Sequence, residues 1–226
     1  MLPRRLNNLL HPKIGEVWML HRVVEQRSTT SNQRSLEVTP DWLEQRIFAY
    51  QQRGYRFVSL DNIGKTRRWI AITLDDGYRD NLSVALPFFR KFQVPFCIYV
   101  TTGFIDNKQS MWWYPGQSLA LNLEELCTLA ADPLCTIGAH TVNHPHLSQL
   151  PFDSQLHEIQ TSQLQLQNIL NRPIHHFSYP HGDYNYQTIN ICRQTGFRTA
   201  VTTNGRTVRD NYNPLQLDRI NVVQPN

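Results

Sequence analysis

Short apolar runs alternate with amphipathic stretches along the whole 226-residue chain. Residues 17–24 read as a strand. Thr39 and Pro40 then place an N-cap and a proline at the first helical position. Leu43, Ile47 and Tyr50 follow at helical spacing, and Gly54 closes the segment. Further strands are expected at 57–60, 69–74, 95–101, 135–139, 175–179, 197–202 and 217–222, and helices at 82–92, 123–131, 152–170 and 186–195. About eight strands separated mostly by helices predict a parallel α/β architecture, and the count points to a barrel rather than an open sheet. The stretch 106–121 contains Trp112, Trp113, Tyr114 and Pro115 without a clear period. It reads as an excursion between strand and helix, lying over the mouth of such a barrel. No repeat, low-complexity linker or composition break divides the chain, so residues 1–226 are expected to form a single domain.

Composition adds little to this picture but excludes some classes. Apolar residues make up 40% and charged residues 18%, as in a globular protein. The net charge of +4 comes from scattered Lys and Arg, with no basic stripe interleaved with aromatics, so no nucleic-acid partner is expected. No stretch approaches the roughly 18 apolar residues of a membrane span. Arg4 and Arg5 precede Leu9 and Leu10, but His11, Pro12 and Lys13 interrupt what would be the core of a signal peptide. The expected location is therefore cytoplasmic. Cys97, Cys127, Cys135 and Cys192 form no CxxC pair and are expected as reduced, buried thiols. Nothing in the pattern specifies an oligomeric state.

Three polar clusters directly follow expected strands: Asp75-Asp76-Gly77, His140-Thr141-Val142-Asn143-His144, and Tyr179-Pro180-His181-Gly182. In a parallel barrel these positions share the C-terminal rim, where active sites sit. Adjacent aspartates before a glycine can be a turn signal alone. At a strand end, however, neighbouring side chains diverge, so one Asp can bind a metal while the other faces a substrate. Histidines four apart meet on a helix face or in a tight loop. Asp76, His140 and His144 together would leave open positions on a divalent ion, as a catalytic site requires. Such an ion acidifies bound water and polarises a carbonyl, and Asp75 is free to act as general base. His21 ends the first expected strand on the same rim. It can serve as general acid to a leaving amine or be a satisfied structural histidine.

Residues 72–78, Ile-Thr-Leu-Asp-Asp-Gly-Tyr, resemble the first motif of the polysaccharide deacetylases, the NodB-homology or carbohydrate esterase family 4 enzymes. The usual form is T-F-D-D-G, with Leu74 here in place of Phe. His140 to His144 resembles the second motif, H-[ST]-x-x-H, and Ser178-Tyr179-Pro180-His181-Gly182 is similar to a looser third motif. The resemblance covers the chain from about Val17 to Val222. It implies a distorted (β/α) barrel of seven or eight mostly parallel strands and removal of N-acetyl groups from an amino-sugar-containing glycan or glycan precursor. It further implies Asp75 as base and a metal on Asp76, His140 and His144, commonly zinc, with cobalt or nickel in relatives. The backbone N–H of His181 would contribute to an oxyanion hole. Tyr179, in the third motif, and Trp113, in the 106–121 stretch, are further candidates for contact with the substrate.

Several positions depart from the family pattern. The third-motif Arg is Ser178, its Tyr is His181, and no histidine follows His181 to provide the usual general acid. One branch, which includes biofilm poly-N-acetylglucosamine deacetylases, carries a histidine on the first strand instead, and His21 within Leu20-His21-Arg22-Val23 resembles that arrangement. Arg219 near the last expected strand is a candidate replacement for the missing Arg beside Asp75, or a surface ion-pair partner. Trp112 and Trp113 read equally as a sugar platform or as core. Two alternatives accompany the deacetylase reading. One is a catalytically impaired carbohydrate-binding relative. The other is a non-haem iron oxygenase, which also uses two His and a carboxylate.

Overall fold

In the computed structural model, residues 13–66, 68–209 and 211–225 are described. Residues 4–12, on which the expectation about a signal peptide rested, lie outside them. Eleven strands are resolved: β1 (Lys13–Leu20), β2 (Arg22–Val23), β3 (Glu37–Val38), β4 (Arg56–Phe57), β5 (Trp69–Leu74), β6 (Phe96–Val100), β7 (Cys135–Ala139), β8 (His176–Ser178), β9 (Thr199–Val201), β10 (Val208–Arg209) and β11 (Ile220–Asn221). The helices are α1 (Ser31–Arg34), α2 (Pro40–Gln52), α3 (Leu86–Phe92), α4 (Leu123–Ala130), α5 (Phe152–Leu170) and α6 (Tyr186–Gln194).

Strands β1, β5, β6, β7, β8 and β9 pair in that order, all parallel. The ring is completed by residues 217–221. Leu217 bridges Val201 in parallel, and β11 pairs in parallel with β1. These seven staves make the distorted (β/α) barrel. β4 lies beside the start of β5, and β10 runs antiparallel along the start of β1.

Alternation along the strands sorts the core. In β5, Ile70, Ile72 and Leu74 face outward into a large cluster with Leu43 and Ile47 of α2, Phe89 of α3, Leu126 of α4, Ile159 and Leu166 of α5 and Ile191 of α6. Trp69 and Ala71 face the lumen with Val17, Cys97, Tyr99, Val201 and Leu217. Two glycines admit the large lumen rings. A Cβ at Gly15 would overlap the Trp69 ring, and one at Gly138 would lie 2.5 Å from Tyr99. The barrel is thus a filled core, with space for chemistry only at its rim.

The differences from expectation are local. The apolar run 17–24 does not form one strand. It leaves the barrel at His21, and Arg22–Val23 pairs with β3 in a separate two-stranded sheet. Residues 57–60 give only the end of β4 before Leu60 starts a 3-10 turn. Thr39 stands at the N-terminus of α2, but its hydroxyl bonds Gln224 Oε1 at 3.2 Å rather than capping the helix. All four cysteines are free, with Cys97, Cys135 and Cys192 buried as expected and Cys127 exposed on α4. Among the described residues no helix is long and apolar enough to cross a membrane.

Candidate active site

β5 delivers Asp75 and Asp76 to the rim in different directions. The Asp75 N–H donates to Leu20 O at 3.0 Å, which keeps its side chain over the lumen. Arg219, 0% exposed, meets it there in a two-pronged pair, Nη1 to Oδ1 and Nη2 to Oδ2, both at 2.7 Å. The guanidinium is itself held by Thr202 O, Thr73 Oγ1 and Ser178 Oγ. Burial raises the Asp75 carboxyl, but the Arg219 charge and hydrogen bonds outweigh it and hold the group below the usual carboxylate range. Arg219 therefore occupies the place beside Asp75 that Ser178 leaves open. At Asp76 the backbone turns left-handed (φ 75°), and Gly77 follows at φ 80°. The turn signal in this motif and its site role are the same feature, because the turn swings Asp76 towards the histidines.

His140 and His144 meet through a tight loop, not a helix. Thr141 (φ 65°) and His144 (φ 58°) are left-handed, a conformation costing about 1–2 kcal/mol per non-glycine residue. Thr141 Oγ1 accepts the His144 N–H at 3.0 Å. Glu158 of α5 accepts the Val142 and Asn143 N–H groups, each at 2.9 Å. His140 Nδ1 lies 2.7 Å from Ser178 O. A carbonyl can only accept, so Nδ1 carries a proton, and Nε2 is the nitrogen that faces Asp76.

Asp76 Oδ1 lies 3.5 Å from His140 Nε2 and 3.4 Å from His144 Nε2. Neighbouring tetrahedral ligands at ~2.0–2.1 Å from an ion are separated by ~3.3–3.4 Å. Asp76 Oδ1 is also buried without a hydrogen-bond partner among the described residues, although such oxygens normally have one. Burial pushes His144 down to about 3, with Asp76 only partly offsetting it, so that ring is neutral. Spacing, the orphaned oxygen and the neutral imidazole all fit a divalent cation held by two nitrogens and one oxygen.

A rim pocket of about 380 Å³ contains Asp75, Asp76, His140, His144, His21, Trp113 and His181. The structure thus brings together all but one of the residues expected from sequence. The exception is Tyr179, whose side chain is buried away from the pocket, donating to Leu215 O at 2.8 Å and stacked on Tyr184. Strand alternation explains the correction: Ser178 faces Asp75, so its neighbour faces the helices. The tryptophans divide. Trp112 is 69% exposed at the mouth, whereas Trp113 packs against His144 and donates to Tyr78 Oη at 2.6 Å. His181, left-handed at φ 60°, contacts the His144 ring and stacks on His146.

Other contributors escaped sequence reasoning. Asn81 Nδ2 donates to the His21 carbonyl at 3.1 Å. Arg22, next in the chain, bridges Asp80 at 2.7 Å and Glu37 at 2.9 Å, which draws β2 out of the barrel and fixes the His21 backbone. Burial pushes Asp80 up to about 6 despite Arg22. The available signal was the charge of Arg22 and Asp80 beside motif residues.

Residues 62–200 match the sequence profile of the polysaccharide deacetylases. A putative polysaccharide deacetylase of Bacillus subtilis (strain 168), YxkH, is 25% identical over 209 residues, covering 91% of this chain and 70% of that protein. The solved structure of Streptococcus pyogenes deacetylase PplD in complex with acetate superposes with a TM-score of 0.80 at 26% identity, covering 94% of this chain and 93% of that one. IcaB from Ammonifex degensii shares the fold, with a TM-score of 0.79 at 21% identity over 93% of this chain and 92% of that chain. With its motifs gathered at one rim of the family's barrel, the chain belongs to the polysaccharide deacetylase family.

Proposed function

We propose that this single-domain chain removes N-acetyl groups from the amino sugars of a polysaccharide, with zinc at Asp76, His140 and His144, Asp75 as general base and His21 as general acid. The observation that carries the reading is one pocket holding both the Asp76–His140–His144 group and a second carboxylate, Asp75, kept ionised by Arg219. A pure binding site has no need of that second carboxylate. The parallel barrel also separates the chain from the jelly rolls usual for oxygenases with a similar ligand set.

A bound zinc ion would acidify a water and polarise the acetyl oxygen. Asp75 receives the water's proton, and its buried pair with Arg219 fixes the carboxylate's orientation. The backbone N–H of His181 supports the oxyanion. His21 protonates the departing amine, so that it leaves as a neutral group, and Trp113 forms a wall of the pocket beside the sugar ring.

The test is acetate release from N-acetylglucosamine oligomers, before and after chelation and zinc add-back. Chelation should abolish activity and zinc restore it. Asp75→Asn should lose about 10²–10⁴-fold in kcat while still binding zinc. His21→Ala should likewise lower kcat by about 10²–10⁴-fold with zinc still bound. A wild-type rate in Asp75→Asn would sink the mechanism, and glycan binding without acetate release would favour the impaired-relative alternative.

A further inference from the structure

We infer that Glu158, in the middle of α5, is a positioning residue for the metal ligands, and this rests on the reading of Asp76, His140 and His144 as a metal site. Glu158 is distant from the motifs in sequence and 7% exposed. One of its oxygens accepts two successive backbone N–H groups, from Val142 and Asn143. The other accepts the Asn143 side-chain amide. The carboxylate thus holds the middle of the loop whose two ends are the histidine ligands.

The loop needs such a hold. Thr141 and His144 both sit in the left-handed region, and strained backbone persists only where its surroundings over-determine it. The Thr141 hydroxyl closes the loop from within, but that bond does not tie the loop to the barrel. The Thr102 and Gly103 N–H groups, just past β6, tie one side of the loop by donating to Thr141 O at 3.1 Å and Val142 O at 2.8 Å, and Glu158 ties the other side to α5, which packs on β7, the strand that delivers His140. Held in this way, His144 Nε2 stands 3.4 Å from Asp76 Oδ1. A carboxylate suits the task because it only accepts hydrogen bonds, and the loop presents only donors to it. Without the anchor the loop relaxes, and zinc must reorganise His144 as it binds.

The experiment uses the full chain, stripped by chelation, with zinc affinity read by competition titration and cobalt absorption bands as a signature of ligand geometry. Glu158→Ala should weaken zinc binding by about 10–100-fold, the range found for lost outer-shell partners, and should alter the cobalt bands. Glu158→Gln retains one acceptor oxygen and the helix packing, and should fall between the two. It keeps the inference testable if the alanine variant does not fold. Gln155→Ala is the control for damage to α5. Gln155 is buried on the same helix and bonds Leu150 O and Thr188 Oγ1, away from the loop, so its loss should lower Tm and leave zinc affinity unchanged. Wild-type zinc affinity in a folded Glu158→Ala or Glu158→Gln protein overturns the inference alone. Failure of the wild-type chain to bind zinc overturns the metal-site reading and the inference with it.

Discussion

Asp75 and Arg219 form a fully buried, doubly hydrogen-bonded ion pair across 144 positions of sequence. Such a pair is a weak source of net stability, but breaking it is costly because one buried charge loses its partner. Arg219→Met should therefore destabilise the chain by about 3–5 kcal/mol in urea unfolding, and Asp75→Asn in the same background should recover part of the loss. The milder Arg219→Lys retains the charge but not the two-pronged geometry. Since Arg219 holds the Asp75 carboxyl below its usual range, weakening the pair raises that value. The acid limb of kcat/KM should then move to higher pH by roughly one unit. An unmoved acid limb in Arg219→Lys would show that Asp75 is not the group titrating there.

At the scale of elements, the parallel strands act as a rack that sets side chains at one level. β5, β7 and β8 end at Asp75, His140 and the 178–182 turn, while β1 ends beside His21. The rack keeps its shape because its lumen is filled, with Tyr99 seated over Gly138 and Trp69 over Gly15. A methyl at Gly138 would meet the Tyr99 ring at 2.5 Å and His176 O at 2.9 Å, and that carbonyl is main chain. Gly138→Ala should cost about 1–3 kcal/mol by overpacking, with partial recovery in Gly138→Ala/Tyr99→Leu. Equal stability of Gly138→Ala and wild type in urea unfolding would refute this account of the lumen.

For the molecule as a whole, the two ends of the barrel have separate electrostatics. Opposite the rim, at the start of β8, His176 is buried between Thr199 Oγ1 at 2.8 Å and Asp61 Oδ1 at 3.5 Å. Burial holds its imidazole below the usual range, with Asp61 only partly compensating. The unfolded chain takes up a proton at this residue near pH 6.5, whereas the folded chain does so only at lower pH. Its stabilising contribution is therefore complete above that value and is lost as pH falls through the folded pKa. Tm should decline between pH 7 and pH 5, and His176→Gln should reduce the slope whatever its effect on absolute Tm. An identical slope in the variant would rule out this source.

The amino-acid sequence alone determined the alternation of strands and helices, the rim as the place for chemistry, and the local motifs Asp75-Asp76 and His140–His144. These are short-range properties: periodicity sets faces, and residues close in sequence share a strand end or a loop. Even Tyr179 was legible in principle, since alternation with Ser178 turns it outward. Only the tertiary structure decided which distant groups complete the site. Arg219 reaches Asp75 because residues 217–221 close the barrel between β9 and β1. Glu158 holds the His140–His144 loop because one face of α5 lies behind it, and Asn81 pins His21 because β1 and β5 are neighbours. Ring closure and helix docking bring together residues that no local pattern couples, and that is why the motifs were visible in the chain and their supports were not.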